Sequence, residues 1–146
     1  MEMCRFGLVL LLVLCAALLA EAQPDGVAHR YSNFLNQHVY AGMTSNRCDS
    51  VIGSRGIETV LPNGKRSCKQ RNTFILANSD QVRAVCGNAM KDYESGQPFR
   101  VVTCKLHSGE RPPHCEYRGH EDRRYITISC EQGWPVHYPG DTVVVG

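Results

Sequence analysis

Three short pieces of this 146-residue sequence carry side chains suited to proton transfer and anion binding. The first reads Cys68-Lys69-Gln70-Arg71-Asn72-Thr73-Phe74. A cysteine expected in a disulfide clamps Lys69 at the mouth of a predicted strand over residues 71–77. Asn72 and Thr73 follow as short polar side chains, and the run turns apolar at Phe74, Ile75 and Leu76. A fixed cation beside two hydrogen-bonding side chains suits an anion lying next to a flat polar ring. The other two pieces, Gln37-His38 and Trp134-Pro135-Val136-His137-Tyr138, each bring a histidine. With an ordinary pKa of about 6.5, an imidazole holds or releases a proton near neutrality, so two of them can divide general acid and base work. Taken singly, each residue has an ordinary explanation: a solvated lysine, a core histidine bonded to a backbone carbonyl, a surface histidine on a strand.

The elements that position these residues follow from the hydrophobic pattern. Over residues 27–40, Val27, Tyr31, Phe34 and His38 recur at helical spacing and share one face. Asp25 stands where an N-cap is expected and Gly42 where the chain stops being helical. His38 is therefore in phase with the buried stripe. A second helix is expected over residues 45–51, ending near Gly53, and residues 54–67 read as a loop carrying Gly56, Pro62-Asn63-Gly64 and Lys65-Arg66. A third helix is expected to be capped by Ser79 or Asp80 and to stop at Gly87, with Val82, Val85 and Cys86 inward. Strands are predicted over 99–106, 115–117, 124–130 and 142–145, with residues 109–113 and 119–122 as hairpin connections. Alternation in the last motif turns Val136 and Tyr138 to one face and His137 to the other, away from the core. Helices early and antiparallel strands late give an α+β fold with a bent sheet.

Residues 1–22 are set apart from the fold. Arg5 begins a charged n-region, residues 6–19 are apolar or small, and Ala20-Glu21-Ala22 is a small-x-small cleavage site. This is read as a secretory signal, its apolar core too short for a membrane span. Arg5, Glu2 and Glu21 leave with it, so residues 23–146 form one domain of 124 residues with 15 basic and 12 acidic side chains, net +3. That charge is mildly basic. It lends little support to coating of nucleic acid or disruption of membranes. Six cysteines remain: Cys48, Cys68, Cys86, Cys104, Cys115 and Cys130. In a small secreted domain they read as three disulfides, and spacing alone leaves about 15 pairings open. A zinc site from Cys104, His107, His114 and Cys115 is disfavoured, because adjacent ligands close a tetrahedron poorly and an oxidising compartment favours disulfides. No metal or cofactor is expected.

Together the three pieces resemble the pancreatic-type ribonuclease superfamily with the ribonuclease A fold, in particular its angiogenin-like and fish members. The family motif Cys-Lys-x-x-Asn-Thr-Phe is matched by Cys68 to Phe74, its Gln-His by Gln37-His38, and its Pro-Val-His-aromatic by Pro135 to Tyr138. The resemblance implies three helices, a bent antiparallel sheet and the bridges Cys48–Cys104, Cys68–Cys115 and Cys86–Cys130. The fourth bridge usual in pancreatic enzymes has no cysteines here, an angiogenin-like feature. It implies a secreted, metal-independent endoribonuclease cleaving RNA 3′ of pyrimidines through a 2′,3′-cyclic phosphate. His38 would be the general base, His137 the general acid and Lys69 the electrostatic stabiliser. Gln37 would hydrogen-bond the phosphate, Asn72 would belong to the substrate-binding set, Thr73 would read the pyrimidine edge and Tyr138 would wall its pocket.

One position departs from the family pattern. An acidic residue usually follows the His-aromatic pair and orients the histidine, whereas here Pro139-Gly140 precedes Asp141. Either a Pro-Gly turn brings Asp141 back to His137 or the histidine lacks that partner, and the C-terminal tail is a candidate obstruction of the pyrimidine pocket. Lys65, Arg66 and Arg71 form a candidate polyanion or import patch, with Lys65 and Arg66 expected to project into solvent beside the cleft. The partners implied are RNA, a cell-surface receptor or glycan and a ribonuclease inhibitor, for a monomer that is extracellular and open to nuclear import after uptake. The alternative roles are an angiogenic growth factor with weak catalysis and a cationic host-defence protein.

Overall fold

In a computed structural model that describes residues 26–144, the scaffold is a sheet bent around one long strand. The elements in order are α1 (Val27–His38), a 3₁₀ turn (Ser45–Arg47), α2 (Cys48–Ser54), β1 (Thr59–Val60), β2 (Arg66–Ser67), β3 (Arg71–Ile75), α3 (Ser79–Arg83), β4 (Lys91–Glu94), β5 (Phe99–Ser108), β6 (Glu116–Glu131) and β7 (Trp134–Val143). β6 pairs with β5 along its first half, and with β4 and β7 along its second. β3 extends the sheet beyond β5. The pairings between these strands are antiparallel, and β1 with β2 forms a separate small hairpin.

Phe74 and Ile75 are both fully buried but, as neighbours on a strand, face opposite ways. Ile75 joins Phe34, Val82, Val101, Ile126 and Ile128 in one core. Phe74 joins Met43, Val51, Ile52, Ile57 and Val102 in another. β3 thus separates two small cores, and α1 lies against the first through Phe34. Tyr31 and Val27 pack on Trp134 of β7 in a third cluster. The bridges Cys48–Cys104, Cys68–Cys115 and Cys86–Cys130 tie α2 to β5, the approach to β3 to the start of β6, and the chain after α3 to the end of β6. These are the pairings the resemblance implied, and they take the thiols of Cys104 and Cys115 out of any zinc site. Among the described residues no helix is long and apolar enough to cross a membrane.

Several expectations need correction. Asp25, the signal segment and Val145 lie outside the described residues; the N-cap position of α1 is Gly26, at φ 83°, with no side-chain cap. α1 ends at His38, short of residue 40, because Val39 turns extended and bridges to Ile75. The loop over 54–67 contains the β1–β2 hairpin, turned at Pro62-Asn63-Gly64. α3 is capped by Asn78, one residue earlier than expected, in a reciprocal box with Gln81. β4 was missed: Lys-Asp-Tyr-Glu has no apolar alternation to announce a strand. Of the two alternatives left open for Asp141, the one that needed a Pro139-Gly140 turn does not hold, since β7 runs straight through it.

The largest correction concerns residues 119–122, which are not a hairpin connection but the middle of β6. Gly119 pairs with Cys104, and a Cβ there would lie 2.0 Å from the Ser45 carbonyl oxygen and 2.9 Å from Cys48 Sγ. The glycine is required for close approach of the 3₁₀ turn and a disulfide, not for a turn of its own. Gly119→Ala must displace backbone that the Cys48–Cys104 bridge pins. It is expected to cost about 3 kcal/mol, the upper part of the overpacking range, read as a shifted urea midpoint of the oxidised protein. An unchanged midpoint would show that the 3₁₀ turn gives way freely.

Candidate active site

The three sequence motifs converge on one cleft of about 610 Å³, lined by Gln37, His38, Lys69, Arg71, Asn72, Thr73, Arg124 and residues 137–141. Its first wall is the junction of α1 with β3. His38, the last residue of α1, is 9 % exposed, and its Nδ1 lies 2.8 Å from the Thr73 carbonyl oxygen. A carbonyl only accepts, so Nδ1 carries the proton and the neutral ring keeps its lone pair on Nε2. Burial holds the His38 pKa down to about 4, against the raising effect of the Thr73 bond and with smaller lowering contributions from Lys69 and His137.

Asn72 locks the same junction. Its Nδ2 donates to the Gln37 carbonyl at 2.8 Å, while its Oδ1 accepts from Lys69 Nζ, also at 2.8 Å. Lys69 donates a second bond to Gln37 Oε1 at 3.1 Å, and burial lowers its pKa. The backbone of Lys69 is braced in turn by the Tyr117 hydroxyl, 2.7 Å from its carbonyl, and by the Cys68–Cys115 bridge beside it. Asn72 is only 2 % exposed with both ends of its amide engaged, so its position is that of a strut behind Lys69 and Gln37.

β7 supplies the opposite wall. His137 is exposed, as alternation predicted, and its imidazole makes no hydrogen bond among the described residues. The register with β6 slips twice here: Thr127 pairs Gly140 and Ser129 pairs His137, then Cys130 pairs Pro135. β7 carries the extra residue each time, which is the geometry of a β-bulge. The Tyr138 ring stacks on His38, with centroids 5.1 Å apart and planes 24° from parallel. Its hydroxyl donates to Asp141 Oδ2 at 2.7 Å, and Asp141 Oδ1 accepts from Arg124 at 3.2 Å. Asp141 therefore does not reach His137. Thr73 Oγ1 meets Thr103 Oγ1 at 3.2 Å, and no tail residue bonds it among the described residues.

Residues 29–139 match the family described as pancreatic ribonuclease. The chain belongs to that family. It is 47 % identical over 143 residues to Ribonuclease-like 3 of Danio rerio, covering 93 % of this chain and 95 % of the relative. It is 38 % identical to Angiogenin-4 of Mus musculus, covering 88 % and 90 %. The solved structure of zebrafish RNase5 superposes with a TM-score of 0.74 at 44 % identity, covering 82 % of this chain and all of that one.

Within this ribonuclease-family cleft, the candidate basic patch divides. Arg71 lines the cleft. Lys65 and Arg66 are exposed as expected, but they line a separate hollow with Gln70, Leu106 and Glu110. The Arg66 guanidinium is also held in a fork by Glu58, at 2.7 Å to each carboxylate oxygen. Arg71 instead begins a row, paired across the sheet with Lys105, which pairs with Arg118. Sequence reading also missed Arg55, whose Nη1 donates to the carbonyls of Leu35, Asn36 and Val39 and so satisfies the end of α1. Nothing local in the sequence marks Arg55 or the bond from Arg124 to Asp141, because these partners lie 16 or more residues away.

The depressed His38 pKa has a consequence for stability. Between about pH 4 and pH 6.5 the unfolded chain binds a proton at this position that the folded chain refuses. The stabilising contribution is complete above pH 6.5 and is lost as the pH falls through 4. A shift of this size is worth on the order of 3 kcal/mol. Urea unfolding at pH 7 and pH 4 is expected to show His38→Asn losing that much less stability than the parent over the interval. Equal losses would mean that His38 is not buried as a neutral base.

Proposed function

We propose that this chain is a secreted endoribonuclease that cleaves RNA by 2′-hydroxyl transphosphorylation. The observation that carries the reading is the tautomer lock on His38, which leaves Nε2 as a buried lone pair in the cleft that also holds Lys69 and His137. RNA brings its own nucleophile. In this reading Nε2 of His38 takes the 2′-hydroxyl proton as the 2′-oxygen attacks phosphorus. His137 gives a proton to the departing 5′-oxygen, and the product ends in a 2′,3′-cyclic phosphate. Lys69, held by two amide oxygens before substrate arrives, offsets the charge growing on the phosphorane oxygens without reorganising. In the same reading Gln37 would bond a phosphate oxygen, Thr73 would read a pyrimidine edge, and Tyr138 would wall that pocket.

The row Arg71, Lys105 and Arg118 extends the reading to longer RNA. Residues directly paired across a sheet share a face, and like charges so placed repel. Among the described residues none of the three has an acidic partner within salt-bridge distance. Three cations beside the cleft with no counter-ion of their own fit a nucleic-acid backbone. A second role, as a factor recognised by a receptor, a surface glycan or an importer, draws on the likeness to angiogenins and on the exposed hairpin bearing Lys65, with Val60 63 % exposed. A ribonuclease inhibitor would be a partner at the cleft in either role.

One set of cleavage assays tests the reading. With a dinucleotide substrate, His38→Ala and His137→Ala are each expected to lower kcat/KM at least 100-fold, about the least expected for a positioned acid or base, and chelator is expected to change nothing. Lys105→Gln with Arg118→Gln should leave the dinucleotide rate near the parent's, while weakening long RNA and flattening its salt dependence. The same pair of changes at Lys65 and Arg66 should have the smaller effect. Full activity in both histidine variants would overturn the assignment.

A further inference from the structure

Asp141 and Arg124 stand outside the chemistry just described, although both line the cleft. The Asp141 side chain is 5 % exposed and has two partners, Tyr138 and Arg124. Arg124 is itself anchored on β6 by Asp122, whose Oδ2 accepts from Nε at 3.0 Å. Asp141 pairs with Ile126 across the sheet, so Arg124, two residues before Ile126, reaches it diagonally on the same face. Four side chains then run in series from the sheet to the helix: Asp122, Arg124, Asp141 and Tyr138. The last of them lies flat on His38.

The bulge in β7 makes the chain of contacts possible. Strict alternation turns residues 138 and 141 to opposite faces. One extra residue between His137 and Gly140 resets the alternation and brings the Tyr138 hydroxyl onto the carboxylate. Without that tether the ring is held in the cleft only by its own packing, and the imidazole behind it gains access to water.

We propose that the Arg124–Asp141 ion pair is a positioning device for the general base, holding Tyr138 by its hydroxyl so that its ring stays stacked on His38. The catalytic part of this inference rests on the reading of His38 as the base. The groups that face His38 are Lys69 and the Thr73 carbonyl from the β3 side, His137 and Tyr138 from β7, and Phe34, with ring centroids 5.5 Å apart, on its own helix. Lys69 and His137 bias the imidazole by charge, whereas Tyr138 and Phe34 exclude water from it. Releasing Tyr138 therefore raises the affinity of His38 for a proton.

The test is an NMR titration of the His38 imidazole in the oxidised protein, with the pH dependence of kcat/KM on a dinucleotide measured alongside. Tyr138→Phe removes the tether, keeps a ring and changes no charge. Asp141→Ala removes the tether together with a negative charge. Loss of charge alone moves the His38 midpoint down, and loss of the tether moves it up, so the direction of the shift separates the two. Both variants are expected to raise the midpoint by at least about half a pH unit through restored hydration. The acidic limb of kcat/KM should rise with it and the alkaline limb stay in place. Tyr138→Phe is small enough to report even where Asp141→Ala fails to fold. An unmoved midpoint in Tyr138→Phe, or a downward shift in Asp141→Ala, would overturn the proposal; lower activity with an unmoved midpoint counts the same way. A raised midpoint without the matching limb would uphold the clamp and remove His38 as the base.

Discussion

The hydrogen bond between His38 Nδ1 and the Thr73 carbonyl is the contact on which the site depends. It sets which ring nitrogen is free, and it also splices the end of a helix onto a strand. Neither element would be placed there by its own preferences. α1 has its last carbonyls satisfied from outside, by Arg55 at Leu35, Asn36 and Val39 and by Asn72 at Gln37. Those bonds let the helix stop at the residue whose side chain must enter the cleft. Beyond it, Tyr40 N donates to the Ile75 carbonyl and continues the splice as backbone pairing. The strand is fixed from the other side by β5 and by two cores packed on its opposite faces.

How much of this is visible in sequence depends on how far apart the interacting residues lie. His38 was legible because Val27, Tyr31 and Phe34 fix a phase that includes it. Lys69 and His137 were legible because their neighbours form short contiguous motifs. The disulfide pairing, by contrast, came from resemblance to a family; spacing had left it open. Gly119 misled because a glycine in a polar run reads as a turn, whereas here it admits the Ser45 carbonyl. For Asp141 the sequence left two alternatives, and the structure takes the one in which His137 lacks it; its actual partners were not legible because the bulges in β7 break the period of two. β4 stayed hidden because it is held by pairing to β6 and not by an apolar face. Each failure lies where a distant element overrules a local preference.

The carboxylate that follows the second histidine illustrates how a displaced residue can be reused. With Pro139-Gly140 in between, the acid lands on the tyrosine that covers the first histidine, so the connection runs from β6 through Arg124 to His38. The two histidines then differ in setting: one is buried, bonded and covered, the other open to solvent on a strand. An acid–base pair needs such a difference, because its members must hold opposite protonation states at one pH. The basic residues divide on similar grounds. Arg66 is neutralised by Glu58 on a hairpin, while the Arg71 row lies open beside the cleft.

In the proposed reaction the 2′-hydroxyl of the substrate, and not water, attacks phosphorus first. Phosphorus NMR of the products from a pyrimidine–adenosine dinucleotide, followed from the first turnover, tests it most directly. A 2′,3′-cyclic phosphate is expected to appear before any monophosphate, and the 2′-deoxy dinucleotide to be left intact. A 3′- or 5′-monophosphate as the first product, or cleavage of the deoxy substrate, would contradict it.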